Sequence, residues 1–343
     1  MARVTIDDLA AQLGISRASV SYALNGRPGV GEETRARVLE LAMELGWQPS
    51  VSARSLSRSR ADAYGIVLRR RPEDLGTEPY YMALLSGIES SLSEVGSSLM
   101  IRFVPPDDDS EAEVYRRWSA ERRVDGVIVT DLRHDDPRPS LLAGLSLPFL
   151  VHAGHRDGVS AQGNDWHFDQ AVDARLLVDH VAELGHTRIA HVTGPRDLIH
   201  ETERNIAVLG GCRRHNIAVI TSECDYSVST AQHCTSELIE RDRPPTAIIY
   251  SNDLMAIGGA VALREAGLDQ VAVLSWDDSL LCRTANPGIT ALQRDPYRGG
   301  RRTAAELIAL TQPAPREQRP PVEPPAASRL IIRESSRPPR QVS

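Results

Sequence analysis

Two periodicities divide the chain. Over its first sixty residues apolar side chains recur three and four apart, first as Ile6, Leu9, Ala10 and Leu13, then as Val20, Ala23 and Leu24. This spacing puts each set on one face of a helix. Thr5 stands where an N-cap belongs, and Asp8 three residues later completes a capping-box pattern at the positive end of the first helix. Gly14 stops that helix where left-handed backbone is cheap, and Ser16 caps the next. A third helix, over about residues 32–45, opens with Glu32 and Glu33 and ends at Gly46. Small Ala10 permits a close crossing, Gly14 a tight turn, and Ile15 and Val20 lock the second helix. Together they describe a helix-turn-helix, with an ordinary small helical bundle as the plainer alternative. The outer face of the second helix carries Arg17, Ala18, Ser21 and Tyr22, with Asn25 one turn further on.

Pro49 ends this head, and Ser50 stands ready to cap a helix of only about two turns, residues 51–57. A helix so short is marginal in water by itself. Ala53 and Leu56 share one of its faces, while Arg54, Arg58 and Arg60 reach outward toward phosphates. A helix formed only on docking would present Leu56 as an apolar wedge to a minor groove. The alternative is a flexible Ser/Arg linker.

From Ala63 the pattern changes to short apolar runs alternating with amphipathic stretches. The runs fall at 64–68, 97–104, 124–131 and 148–154, then at 188–194, 217–225, 247–253 and 271–278, with a last one at 328–335. Helical patterns lie near 80–95, 110–122, 166–184, 201–214, 230–241, 254–266 and 297–310. Strand–helix alternation predicts parallel sheets with helices on both faces, and two series predict two similar doubly wound α/β subdomains. Ligands of open α/β sheets bind beyond the carboxyl ends of the strands. The polar residues expected there are Asp165, Asn252, Asp253, Trp276, Asp277 and Asp278, with Arg204 at the start of a helix. Carboxylates, an amide and a guanidinium beside aromatic faces suit a hydroxyl-rich small molecule. Each has a plainer role too: Asp165 and Asp253 as helix caps, Arg204 in a surface ion pair, Tyr80 and Tyr81 as interior packing.

Composition changes this picture little. At 343 residues more than one domain is expected. The net charge is −7, but eight arginines against six acids in residues 1–60 give +2 there and leave −9 for the rest. A mildly basic head on an acidic body fits a nucleic-acid-binding module joined to something else. The chain contains no lysine. Its four cysteines (Cys212, Cys224, Cys234, Cys282) form no CxxC pair, as expected of reduced thiols in the cytoplasm. No apolar run reaches the roughly eighteen residues of a membrane span, and Asp7 and Asp8 interrupt any secretory segment.

Residues 4–56, from VTIDDLAAQLGISRASVSYALNG to QPSVSARSL, closely resemble the head and hinge of LacI/GalR-family transcriptional regulators. The resemblance implies base-reading positions at Arg17, Ala18, Ser21 and Tyr22, with Thr5, Ser16, Asn25 and Arg54 in the DNA-binding set. It also implies that Leu56, with Ala53 beside it, pairs with its counterpart from a second subunit at the centre of a palindromic operator. The family commonly has Arg where this chain has Tyr22, and a Ser cap where it has Gly31. Further on, EPYY (78–81), LGHTRIAHVTGP (184–195) followed by Glu203-Arg204, SNDLMAIGG (251–259) and WDD (276–278) resemble landmarks of the family's periplasmic-binding-protein-like effector domain. On that basis Arg204, Asn252 and Asp277 are the expected effector contacts, with Tyr81, Asp165 and Trp276 beside them. QRD (293–295) stands where many members have RQP.

The expected organisation is therefore a helix-turn-helix domain over 1–48 and a hinge over 49–60. An effector-binding and dimerisation body follows over 61–335, then a disordered tail over 336–343. The expected function is a dimeric DNA-binding regulator, most simply a repressor, cytoplasmic and nucleoid-associated, with a double-stranded operator and a sugar-like effector as partners. No membrane partner, cofactor or metal is expected. A solute-binding protein for transport would share the body but leave the head unexplained. An enzyme is not expected, since no G-x-G-x-x-G, Walker A, HExxH or G-x-S-x-G motif is present.

Overall fold

Helix α1 (Ile6–Leu13) begins at Thr5, whose side chain and that of Asp8 cap each other's backbone N–H groups as the sequence predicts. It ends at Gly14, with φ at +66°. Helix α2 (Arg17–Leu24) is capped by Ser16, and α3 (Glu32–Glu44) starts at Gly31 with no side-chain cap. Leu9, Val20, Ala23, Val38 and Ala42 form the core of this head. Burial of Leu9, Val20 and Val38 contributes roughly 1.5–3 kcal/mol each. The computed structural model describes residues 4–47, 60–71, 76, 78–105, 110–152, 169–312 and 326–339. The hinge residues Ala53, Arg54 and Leu56, and Asp165 and Trp166 of the body, lie outside them. Two compact units divide between Arg60 and Ala61.

The second unit holds two sheets. In the first, β1 (Ala63–Arg69) lies between β2 (Ser98–Val104) and β3 (Gly126–Val129), with β4 (Phe149–Val151) beyond β3, all parallel. Helices α4 (Pro79–Glu94), α5 (Glu111–Ala120) and α6 (Arg138–Gly144) connect them. The second sheet runs β6-β5-β7-β8-β9-β10 across β5 (Arg188–Thr193), β6 (Ala218–Glu223), β7 (Ala247–Tyr250), β8 (Ala272–Ser275), β9 (Thr290–Gln293) and β10 (Arg329–Ile331). Its helices are α7 (Gln170–Glu183), α8 (Ile199–Arg214), α9 (Val228–Ile239), α10 (Asp253–Glu265) and α11 (Leu280–Thr284). Each sheet has an apolar cluster on either face, so its strands read as continuous hydrophobic runs.

The chain passes between the subdomains three times: after β4, after β9, and after α12 (Pro296–Thr311), which returns to pack on α4. That return depends on two glycines. A Cβ on Gly87 would fall inside the van der Waals shell of the Tyr297 carbonyl oxygen, and one on Gly300 inside that of Leu84. Strand β9 and helices α6 and α11 are absent from the sequence reading, being only four, seven and five residues long. Strand β10 is antiparallel to β9 and shorter than the 328–335 run suggests. The tail is ordered past the expected limit of 335. Ser336 Oγ lies 2.9 Å from His180 Nε2 and 2.7 Å from Thr290 Oγ1, and the Arg337 carbonyl lies 2.8 Å from His186 Nε2.

Replacing Gly300 with Ala should therefore lower stability by roughly 1–3 kcal/mol through overpacking at the α4–α12 crossing. Gly210→Ala on α8, where nothing lies within 4 Å of the new methyl, should be neutral or stabilising by up to about 1 kcal/mol. Thermal unfolding of the two variants distinguishes them.

Candidate effector cleft and nucleic-acid face

On the head, Arg17, Ala18, Tyr22 and Asn25 are exposed and Ser21 is half-buried. The Arg17 pair with Asp7, at 3.5 Å with both side chains exposed, is weak and easily exchanged for a phosphate. Ser16 and Thr5 have their hydroxyls on helix N-termini, where backbone N–H groups favour anions. Asn25 behaves differently from its neighbours: its amide donates to the Ser21 carbonyl at 2.8 Å, folding the side chain back onto the helix end.

In the body, a cavity of about 840 Å³, counting its open mouth, lies between the two subdomains at the carboxyl ends of their strands. On one side Arg70, just past β1, donates to Glu78 at 2.8 Å and to Asp131 at 2.9 Å, and its guanidinium lies 4.2 Å from the Tyr81 ring centre. Burial alone would raise the Asp131 carboxyl, but Arg70 and His200 outweigh it and hold it at about 2. Tyr80 stands beside His152, 3.3 Å from Nε2, and burial lowers that imidazole to about 3.

The opposite wall is built on Glu201, which is fully buried at the start of α8. It accepts from Arg204 Nη1 at 2.6 Å, Ser251 Oγ at 2.7 Å, the Gly194 N–H at 2.8 Å and Tyr226 Oη at 2.9 Å. Burial opposes its charge, yet Arg204 chiefly, with His200, Ser251 and Gly194, brings it down to about 2. Gly194 is required here because a Cβ would collide with the Tyr226 ring. Arg204 also donates to Gln170 at 3.2 Å and stacks 5.1 Å above Trp276. Asn252 is the N-cap of α10, its oxygen accepting the Met255 N–H at 2.8 Å. Asp253 is therefore the first residue inside that helix rather than its cap. Arg294, at the second crossing between subdomains, pairs with Asp277 and lies 5.1 Å from the Tyr80 ring centre. Beside the cavity, Arg133 and Leu198 form an antiparallel bridge between subdomains, with Ile199 N–H donating to the Leu132 carbonyl at 2.9 Å.

The cavity thus brings together Tyr81, Arg204, Asn252, Asp253 and Asp277 of the residues selected from sequence. Trp276 is not on its wall. It is 0% exposed in the core beneath Arg204, because alternation along the chain turns it away from Asp277. Asp278 pairs instead with Arg333 at 2.8 Å. Sequence reading passed over Arg70, Asp131, His200 and Tyr226, and met Arg294 only within the QRD segment (293–295). The strand-end rule that selected Asn252 would also have found Arg70, Asp131 and Tyr226, each of which closely follows a strand read from the sequence, whereas Arg294 follows β9, which that reading lacked.

The two carboxylates held at about 2 carry a pH prediction. Their folded values lie below the unfolded ones, so their stabilisation, on the order of 2 kcal/mol each, is present above about pH 4.5 and lost as pH falls toward 2. Asp253, raised to about 6 by burial and by Asp277, runs the other way and disfavours the fold as pH rises through that value. Urea unfolding at stepped pH should show a steep loss below pH 4.5 that Glu201→Gln makes shallower.

Residues 5–50 match the model of bacterial regulatory proteins of the lacI family, and residues 178–336 match a periplasmic binding protein-like domain. The HTH-type transcriptional regulator AglR of Rhizobium meliloti (strain 1021) is 31% identical over 289 residues, 81% of this chain and 78% of that one. Regulator reg1 of Streptomyces lividans is 31% identical over 331 residues, 91% and 92% of the two chains. Among solved structures, the complex of the transcriptional regulator CelR with cellobiose aligns with a TM-score of 0.71 at 27% identity, covering 97% of this chain and 100% of that one. The lac repressor dimer bound to operator and the anti-inducer ONPF aligns with a TM-score of 0.80 over 98% of this chain and 100% of that one. At 23% identity that likeness is one of fold alone. With a helix-turn-helix head, a body of two α/β subdomains and relatives of this identity over nearly their whole length, the chain belongs to the LacI family of bacterial transcriptional regulators.

Proposed function

We propose that this DNA-binding, ligand-responsive regulator is a repressor that holds a palindromic operator as a homodimer in the cytoplasm, at the nucleoid, and answers to a sugar or sugar-like effector. The observation that carries the reading is one chain with two kinds of surface. A polar face stands exposed on α2, and a separate cleft is lined by paired guanidinium and carboxylate groups beside tyrosine rings. A transport protein needs the second surface and has no use for the first. The related CelR, seen in complex with cellobiose, supports a sugar as ligand class.

In this reading Arg17, Ala18, Ser21 and Tyr22 meet base edges, while Thr5 and Ser16 bring helix N-termini to phosphates. Asn25 secures the end of the reading helix. Arg54 contacts phosphate, and Leu56 with Ala53 wedges the minor groove at the dyad. In the cleft Tyr81, Arg204, Asn252 and Asp277 contact the effector, joined by Asp165. Trp276 acts from below by supporting Arg204. A two-fold protein matches a palindrome because each head reads one half-site. The effector controls DNA binding by favouring one arrangement of the subdomains over another, which changes the spacing and order of the paired hinges.

Footprinting on DNA selected from a genomic library should reveal protection of a palindromic site. Leu56→Ala should weaken that site by about tenfold or more and leave non-specific, salt-sensitive binding intact. A protein that selects no site, with or without sugars, contradicts the proposal.

A further inference from the structure

Among the described residues, every arginine on the cleft wall already has its carboxylate. Arg70 is held by Glu78 and Asp131, Arg204 by Glu201, and Arg294 by Asp277. With Asp253 added, three arginines face five carboxylates among the described residues. An anion entering the cavity would lose its water and meet no unpaired cation among the described residues, while facing surplus negative charge.

Asp253 differs from the other four acids. It is 4% exposed, and one of its oxygens accepts its own helix's Leu254 N–H at 2.9 Å. The other oxygen, Oδ2, is buried and has no hydrogen-bond partner among the described residues. Ser279, nearby, tempers its charge from outside bonding geometry. A buried acceptor without a donor is costly, and the cost is removed when a bound molecule supplies one. The neighbouring groups restrict which donor fits. The Nη2 groups of Arg70 and Arg204, not used in the ion pairs, offer donors, and the carboxylates offer spare lone pairs. A hydroxyl both gives and takes a hydrogen bond, so it satisfies both kinds of wall.

Building on the regulator reading above, we infer that the effector is an uncharged polyhydroxylated molecule that donates a hydroxyl to Asp253 Oδ2, and that phosphorylated or carboxylated counterparts are rejected. Asp253 is then a specificity-determining residue. Asn at this position keeps an oxygen for the Leu254 N–H, but it replaces the charged acceptor with a neutral amide.

The test uses the full chain in thermal-shift and calorimetric titrations. The compounds are cellobiose, maltose, trehalose and sucrose, with glucose 6-phosphate, trehalose 6-phosphate and glucuronate as negatively charged comparisons. At least one neutral sugar should raise the melting temperature, and charged compounds should bind it roughly a hundredfold more weakly or not at all. Asp253→Asn should weaken the neutral sugar by about tenfold or more, the loss of a hydrogen bond to a charged acceptor, without lowering the melting temperature of the free protein. Tighter binding of any charged compound, no response to any neutral sugar, or unchanged affinity in Asp253→Asn overturns the inference. Selection of operator DNA, run in parallel, separates the two readings. A protein that selects a palindrome but is released by a phosphorylated sugar remains a regulator and loses this inference. One that binds neutral sugars and selects no DNA keeps the inference and loses the operator.

Discussion

A single buried carboxylate organises the ligand wall. Glu201 has no contact with solvent, so its charge survives only because a guanidinium, two hydroxyls and a backbone N–H surround it. Removing one partner of such a pair typically leaves an uncompensated buried charge costing several kcal/mol. The pair therefore fixes much around it. Arg204 is set over Trp276, Tyr226 is pressed against Gly194, and Ser251 is held just before the N-cap of α10. The cleft is thus organised before any ligand arrives, which limits the ordering cost of binding.

The same logic joins the subdomains. Arg294 lies on a crossing segment, and its guanidinium spans from Asp277 of the second subdomain to the Tyr80 ring of the first. The bridge between Arg133 and Leu198 ties the subdomains beside the cavity. A molecule that bonds to both walls adds to these ties and biases their arrangement. Linkage then makes the influence reciprocal: whatever the effector does to DNA affinity, DNA does to effector affinity.

Legibility in the sequence followed the range of the interactions. The head was readable in detail because its determinants are local: Thr5 with Asp8, Gly14, Ser16, and apolar residues at helical spacing. The body's alternation gave both sheets for the same reason. Short elements such as β9 were lost because four residues carry too little pattern, and its antiparallel partner β10 is set by tertiary pairing. In the cleft, Arg204, Asn252 and Asp277 were legible as polar residues near strand or helix ends. Arg70 was hidden among three consecutive arginines, and nothing local marks Glu201 as more than an ordinary helical acid. Its partners come from positions 194, 226 and 251, as well as from its own helix. Trp276 was misplaced by one step of strand alternation, which reverses the side a residue faces.

The central claim is that this cleft governs DNA binding through Arg204 and the buried acid that holds it. The most direct test measures operator affinity of the full chain with and without the sugar that raises its melting temperature, beside Arg204→Met. The account predicts that the sugar changes wild-type affinity by roughly 5–150-fold, while the variant binds operator but no longer responds. An unresponsive wild-type protein, or a variant that responds as the wild type does, would contradict it.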